Sequence, residues 1–263
     1  MTPIGFHVVS RLEDNRVIAA MPTERRVLAR VVLEKTRGHR LLAFNAADTH
    51  LHTELKESKR DSLELVRRIE SSLHYRLELP VSFVEAYPEP IRKQSHLAHC
   101  FNYIMEQQPH HGLAWDPYHE ASNLPDLLGL RLLGAHTIEQ VRSFLPRVNR
   151  RQLLAYLGLE SLEEVDGPLE LIVPAALSAA GLNDLSGRTR EQAAARRAIL
   201  ELAGGQVPIA RLARQIGVSA RTLFRTRSLP PDPRLVRAIR LQLGLRRLKS
   251  DARMEPYTAA SPG

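Results

Sequence analysis

The run Asp48-Thr49-His50-Leu51-His52-Thr53-Glu54-Leu55 alternates in the manner of a β-strand. A strand sends successive side chains to opposite faces, so His50 and His52 point the same way. Two imidazoles on one face, one residue apart, can hold a divalent ion between them. Such a strand needs partners. Phe6 to Arg11 alternates and is rich in valine, which predicts a second strand. Leu12 to Asn15 reads as a turn, and Arg16 to Ala20 as a return strand completing a hairpin. Pro22-Thr23-Glu24 opens a helix with Thr23 as the expected N-cap. Val27, Leu28, Val31, Val32 and Leu33 form its apolar stripe to about Lys35, and Gly38 ends it. Arg40 to Ala46 is a further apolar strand. The order strand, strand, helix, strand, strand predicts an α+β fold, an antiparallel sheet with helices packed on it.

Beyond Leu55, helical spacing returns at Leu63, Val66, Ile69 and Leu73. Pro80 to Tyr87 reads as a short strand or extended link. A helix is then expected from Glu89 or Pro90 to about Gln108, where Pro109 stops it. On that helix Tyr103 and Gln107 are four residues apart and share a face, with His99 one turn earlier. Leu97, Phe101, Ile104 and Met105 form its apolar face. From 137 to 158 the pattern is again helical, with a break near Pro146, and 163–183 is ambiguous. Leu182 to Arg188 is the best linker. The expected organisation is a catalytic-type domain over 1–132, a helical connector over 133–186, an all-α helix-turn-helix domain over 187–249 and a flexible tail over 250–263.

Charge is divided unevenly. The whole chain carries +8, but Arg188 to Lys249 holds 15 Lys/Arg against Glu191, Glu201 and Asp232. That segment is +12 and the remainder −4, which suggests a polyanionic partner for the basic third. Within it, Val207 to Arg225 has helix-turn-helix form. Ala213 is small where two helices touch, Gly217 suits a left-handed turn, and Ser219 can cap the second helix. Arg211, Arg214, Arg221, Arg225, Arg227, Arg237 and Arg240 are the candidate DNA contacts, since arginine binds phosphates and reads guanine edges. The single cysteine, Cys100, rules out an intrachain disulfide and fits a reducing compartment. No signal peptide is expected from the N-terminus. The apolar stretch from Leu169 to Leu182 is too short and too interrupted to span a bilayer. The expectation is a cytoplasmic, chromosome-associated protein without a membrane partner, monomeric or homodimeric.

Taken together, Phe6-His7-Val8-Val9-Ser10-Arg11, the helix after it, the strand with His50-Leu51-His52, and Tyr103-Ile104-Met105-Glu106-Gln107 resemble the single-tyrosine HUH transposases, in particular the REP-associated tyrosine transposase type. The resemblance covers roughly residues 3 to 130. It implies an HUH (ferredoxin-like) sheet. It implies Mg²⁺ or Mn²⁺ held by His50, His52 and Gln107, and Tyr103 as nucleophile. Where that family carries Pro-Asn before the histidines, this chain has Asp48-Thr49.

The chemistry explains the residue types. A phenol is a weak nucleophile at neutral pH, and the phosphodiester it attacks is an anion. A divalent ion held by neutral ligands keeps most of its charge and can polarise that phosphate. The resemblance therefore implies an endonuclease and transposase that nicks and rejoins single-stranded or hairpin DNA through a 5′-phosphotyrosine. The helix-turn-helix part would grip duplex DNA. The alternatives are a catalytically inactive domesticated relative acting as a DNA-binding regulator, and a replication-initiator or relaxase type. Relaxases commonly carry three histidines, and only two are evident here.

Overall fold

A computed structural model of the chain describes residues 2–112, 116, 118, 120–205 and 207–252. These divide into two compact units. One contains the described residues of 1–160 with 180–183, and the other those of 161–179 and 184–263.

The first unit is α+β. Its elements are β1 (Gly5–Arg11), α1 (Pro22–Lys35), β2 (Leu41–Asn45), β3 (His50–Leu55), α2 (Lys59–Arg76), β4 (Pro88–Ile91), α3 (Gln94–Met105), α4 (Gln107–His110), α5 (Leu124–Leu127), α6 (Ala135–Phe144) and α7 (Arg150–Ala155). The four strands form one antiparallel sheet in the order β2-β3-β1-β4. The strand carrying the histidine pair is therefore internal. On one face, α1 and α2 close a core with Phe6, Val8, Phe44, Leu51 and Leu55 from the sheet and Leu28, Val32, Leu65 and Ile69 from the helices. Leu51, between the two histidines, is 1% exposed in this core. Its burial contributes about 2 kcal/mol and fixes which face the histidines take. On the other face, α3 packs on β2 and β3 through Leu97, Cys100, Phe101 and Ile104.

Several local expectations are corrected. Residues 16–20 form no return strand. β1 has β3 on one edge and β4 on the other, so neither edge is open to a hairpin partner; Ile18 and Ala19 go into the core instead. The segment Pro88–Ile91 is a strand and not the start of a helix. Proline lacks the N–H a central strand needs, but β4 lies at the sheet edge and tolerates two of them. Helix α3 starts at Gln94 and ends at Met105, with Glu106 as its C-cap just before Gln107. Thr23 is not the N-cap of α1. That place is Met21, whose N–H donates to the Glu24 carboxylate at 2.9 Å, with Pro22 in the first turn.

The second unit is helical: nearly all of α8 (Leu169–Ala180), then α9 (Arg190–Ala203), α10 (Ile209–Ile216), α11 (Ala220–Thr226) and α12 (Pro233–Ala252). The stretch expected as a separate connector is shared out, with α6 and α7 in the first unit and all but the last residue of α8 in the second. Gly217, at φ 77°, takes the left-handed conformation between α10 and α11, and the Ser219 hydroxyl accepts from the Thr222 N–H at 3.1 Å. Leu212, Ile216 and Leu223 are buried in the bundle these helices form with α9 and α12. A Cβ on Gly244 of α12 would fall 2.2 Å from the Glu163 carbonyl, so that crossing requires glycine. From residue 253 on, the expected tail lies outside the described residues. No helix among the described residues is long and apolar enough to cross a membrane.

Candidate active site

The β3 alternation puts His50, His52 and Glu54 on the face covered by α3, opposite Leu51, Thr53 and Leu55. His52 is 6% exposed and His50 is half-buried. The antiparallel register brings His7 of β1 opposite Glu54 and Val9 opposite His52. His7 Nε2 consequently lies 3.1 Å from His52 Nδ1, and the two rings stack with centroids 5.3 Å apart. His50 Nδ1 lies 2.9 Å from the Thr49 hydroxyl. Both histidines of the pair thus have Nδ1 engaged.

Burial is the main cause holding all three imidazoles toward the neutral form. His52 is driven down to about 3, with His7, His50 and His111 adding to the effect. His7 is lowered by burial against a partly opposing Glu89. His50 is lowered by burial, then by His111 and Arg11, with Asp48 opposing.

Asn45 of β2 donates its side-chain amide to the Ile104 carbonyl at 2.9 Å, fixing the end of α3 over the sheet. This sets the Tyr103 ring edge-on to His52 at 5.7 Å and to His7 at 6.1 Å between centroids. Tyr103 is 38% exposed, so its hydroxyl-bearing ring reaches solvent. Gln107 is wholly buried just past the break at Glu106. Its amide N–H donates to the Tyr103 carbonyl at 2.9 Å, and its Oε1 lies 3.1 Å from His111 Nε2. His111 sits 6.2 Å from the His50 ring and 3.8 Å from the Asp48 carboxylate, while the His110 ring lies 5.3 Å from that of Tyr103. His99 is exposed on α3. The structure therefore brings together His50, His52 and Tyr103 and adds His7, while Gln107 is joined to the cluster through His111, whose ring neighbours His50, and His110 lies against Tyr103.

His7 is the residue the sequence reading passed over. Its signal was present in Phe6-His7-Val8: with Phe6 and Val8 in the core, His7 must face the other way. Only the β1–β3 pairing shows that the other way is toward His52.

No group of three or more His, Cys, Asp or Glu side chains among the described residues is arranged to hold a metal. The donor set expected from sequence differs from that, being two imidazoles and an amide oxygen. Both imidazoles are held toward the neutral form and have Nε2 unengaged by the contacts above, so these residues fit a divalent cation. Gln107 offers an amide oxygen as the third donor, one side of which faces His111 Nε2.

Glu54 lies deeper on the same face, wholly buried, and neither carboxylate oxygen has a hydrogen-bond partner. Burial raises it well above its ordinary value of 4.5. The fold thus favours the protonated form, so its stabilising contribution is complete below pH 4.5 and is lost as pH rises toward the folded value. Glu54→Gln removes this dependence. In EDTA buffer its stability relative to wild type should improve progressively as pH rises above 4.5. Parallel urea-melt profiles of the two proteins against pH would show the assignment to be wrong.

In the second unit, three of the seven candidate arginines are ion-paired: Arg211 with Glu170 at 2.9 Å, Arg237 with Glu164 at 2.8 Å and Arg240 with Asp166 at 2.9 Å. Arg214, Arg221, Arg225 and Arg227 are exposed on or beside α10 and α11, with no ion pair among the described residues. Comparison with protein-family models, with curated proteins and with solved structures finds no match to this chain.

Proposed function

We propose that the chain is a metal-dependent DNA nickase and strand transferase of the single-tyrosine HUH type, with a helix-turn-helix unit that grips duplex DNA. The observation that carries this reading is the Tyr103 ring standing 5.7 Å from His52, part-exposed, on the face that also bears His50. Tyr103 attacks the scissile phosphorus. An Oη–P bond forms, the P–O3′ bond breaks, the phenolic proton leaves, and the departing oxygen is protonated to a free 3′-OH. The phosphotyrosine conserves the bond energy, so attack by another 3′-OH reseals the strand without ATP and restores the phenol. His50 and His52, with Gln107, would hold Mg²⁺ or Mn²⁺. When bound, that ion supplies Lewis-acid polarisation of the phosphate. The buried sheet behind the histidines keeps them neutral and fixed, so little reorganisation is needed as charge develops.

The test is covalent capture: Mn²⁺, labelled single-stranded hairpins, and a denaturing gel that retains only phosphotyrosine-linked DNA. A second reading, a DNA-binding regulator without nuclease activity, draws on Gln107, whose Oε1 is bonded to His111. Tight hairpin or duplex binding with no adduct under either cation would favour it.

For the helical unit, the four unpaired arginines are the expected phosphate contacts. Replacing Arg214, Arg221, Arg225 and Arg227 with Ala should flatten the plot of log K against log salt by up to about 3.6 on duplex DNA, about 0.9 per lost contact. An unchanged slope would remove this surface from the interface. The three paired arginines should contribute less, since each must first leave its carboxylate.

A further inference from the structure

We propose that His7 is a positioning residue that sets the tautomer of His52, presenting His52 Nε2 as a metal donor, with Glu89 orienting His7 from its far side. The proposal rests on the nuclease reading above and concerns how one of its ligands is prepared.

The 3.1 Å approach of His7 Nε2 to His52 Nδ1 allows one proton between the two nitrogens. Two assignments exist. In the first, His52 Nδ1 carries the proton and donates to His7 Nε2. His52 Nε2 then has its lone pair exposed, and the His7 proton sits on Nδ1. In the second, His7 Nε2 donates to His52 Nδ1. His52 Nε2 is then protonated and useless as a ligand, and His7 Nδ1 turns a lone pair outward. Glu89 separates the two. Its register on β4 opposite His7 places its carboxylate 3.8 Å from His7 Nδ1. A carboxylate favours an N–H there and repels a lone pair. The first assignment follows, giving a line Glu89, His7, His52 that ends in a free Nε2.

The neighbouring histidine also has a partner at Nδ1. His50 Nδ1 faces the Thr49 hydroxyl at 2.9 Å, an acceptor able to hold the proton on Nδ1 and leave Nε2 open. Outer partners of this kind fix ligand tautomer and ring orientation, and their loss costs about 10–100-fold in metal affinity.

The experiment uses the full chain, with metal-free long-range ¹H–¹⁵N correlation of the histidine rings and separate Mn²⁺ titration followed by the EPR signal of the free ion. The expected result is an Nδ1–H tautomer for His52 in wild type. His7→Phe, which keeps a ring but removes the acceptor, should shift His52 toward Nε2–H and weaken Mn²⁺ binding about 10–100-fold. His7→Gln, which restores an acceptor oxygen, should recover part of both. An Nε2–H His52 in wild type overturns the proposal, as does Mn²⁺ affinity in His7→Phe equal to wild type. A wild type with His52 as Nδ1–H that takes up no Mn²⁺ at millimolar concentration leaves the tautomer assignment standing and overturns the donor role with the nuclease reading. The ring spectra therefore identify which of the two has failed.

Discussion

Tyr103→Phe should abolish the covalent protein–DNA adduct while leaving hairpin affinity within about twofold of wild type. The substitution removes one oxygen and keeps the ring, and the ring makes the edge-on contacts with His52 and His7. Tyr103 is 38% exposed, so no cavity opens and the fold is not the casualty. What is lost is the only atom proposed to bond phosphorus, and no residual rate through a phosphotyrosine is possible. His50→Ala gives the useful contrast. It leaves the proposed nucleophile and removes a proposed ligand, so the adduct should form more slowly by at least about 100-fold, the scale of losing several kcal/mol of transition-state charge stabilisation. An adduct of undiminished yield in Tyr103→Phe would move the nucleophile elsewhere. An adduct in His50→Ala at the wild-type rate would detach the chemistry from the histidine pair.

The parts of this site that could be read in the sequence are those fixed by local periodicity. The β3 alternation set His50 and His52 on one face because Leu51 had to enter the core. The four-residue spacing brought Tyr103 and Gln107 to one place, even though α3 ends at Met105 between them. What could not be read depends on pairing between distant strands. His7 looked like one polar position in a valine-rich strand until register set it against β3. The return strand expected at 16–20 failed for the same reason, because the edge it needed belongs to β4. That strand is hidden in Pro88-Glu89-Pro90-Ile91, whose prolines read as a helix start. In the second unit the turn at Gly217 and the cap at Ser219 were legible because both are local. The pairing of Arg211, Arg237 and Arg240 was not, since their acidic partners lie 41 to 74 residues away.

The largest stability effect is expected from a pair that no periodicity exposes. Asp126 and Arg131 are 0% and 1% exposed and bonded through both carboxylate oxygens. Asp126 also accepts from the Gly134 N–H, and Arg131 donates to the carbonyls of Glu120 and Ser122. Those carbonyls flank Ala121, whose own carbonyl accepts from the Ala46 N–H, and Asn123 bonds the β2 backbone at Leu42 and Phe44. The pair therefore staples residues 120–123 along the free edge of β2, just before the turn into His50. Asp126→Ala leaves a guanidinium buried without its counter-charge and should cost about 3–5 kcal/mol. For a unit of this size that corresponds to a Tm lower by roughly 6–20 °C. Replacing both together, Asp126→Leu with Arg131→Met, should cost far less than the two single losses added, because no charge is then stranded. Hydrogen exchange should speed first at the amides of Ala46 and Asn123, where the staple holds the sheet. If thermal melts place Asp126→Ala within about 1 kcal/mol of wild type, the pair contributes little and another contact must hold the β2 edge.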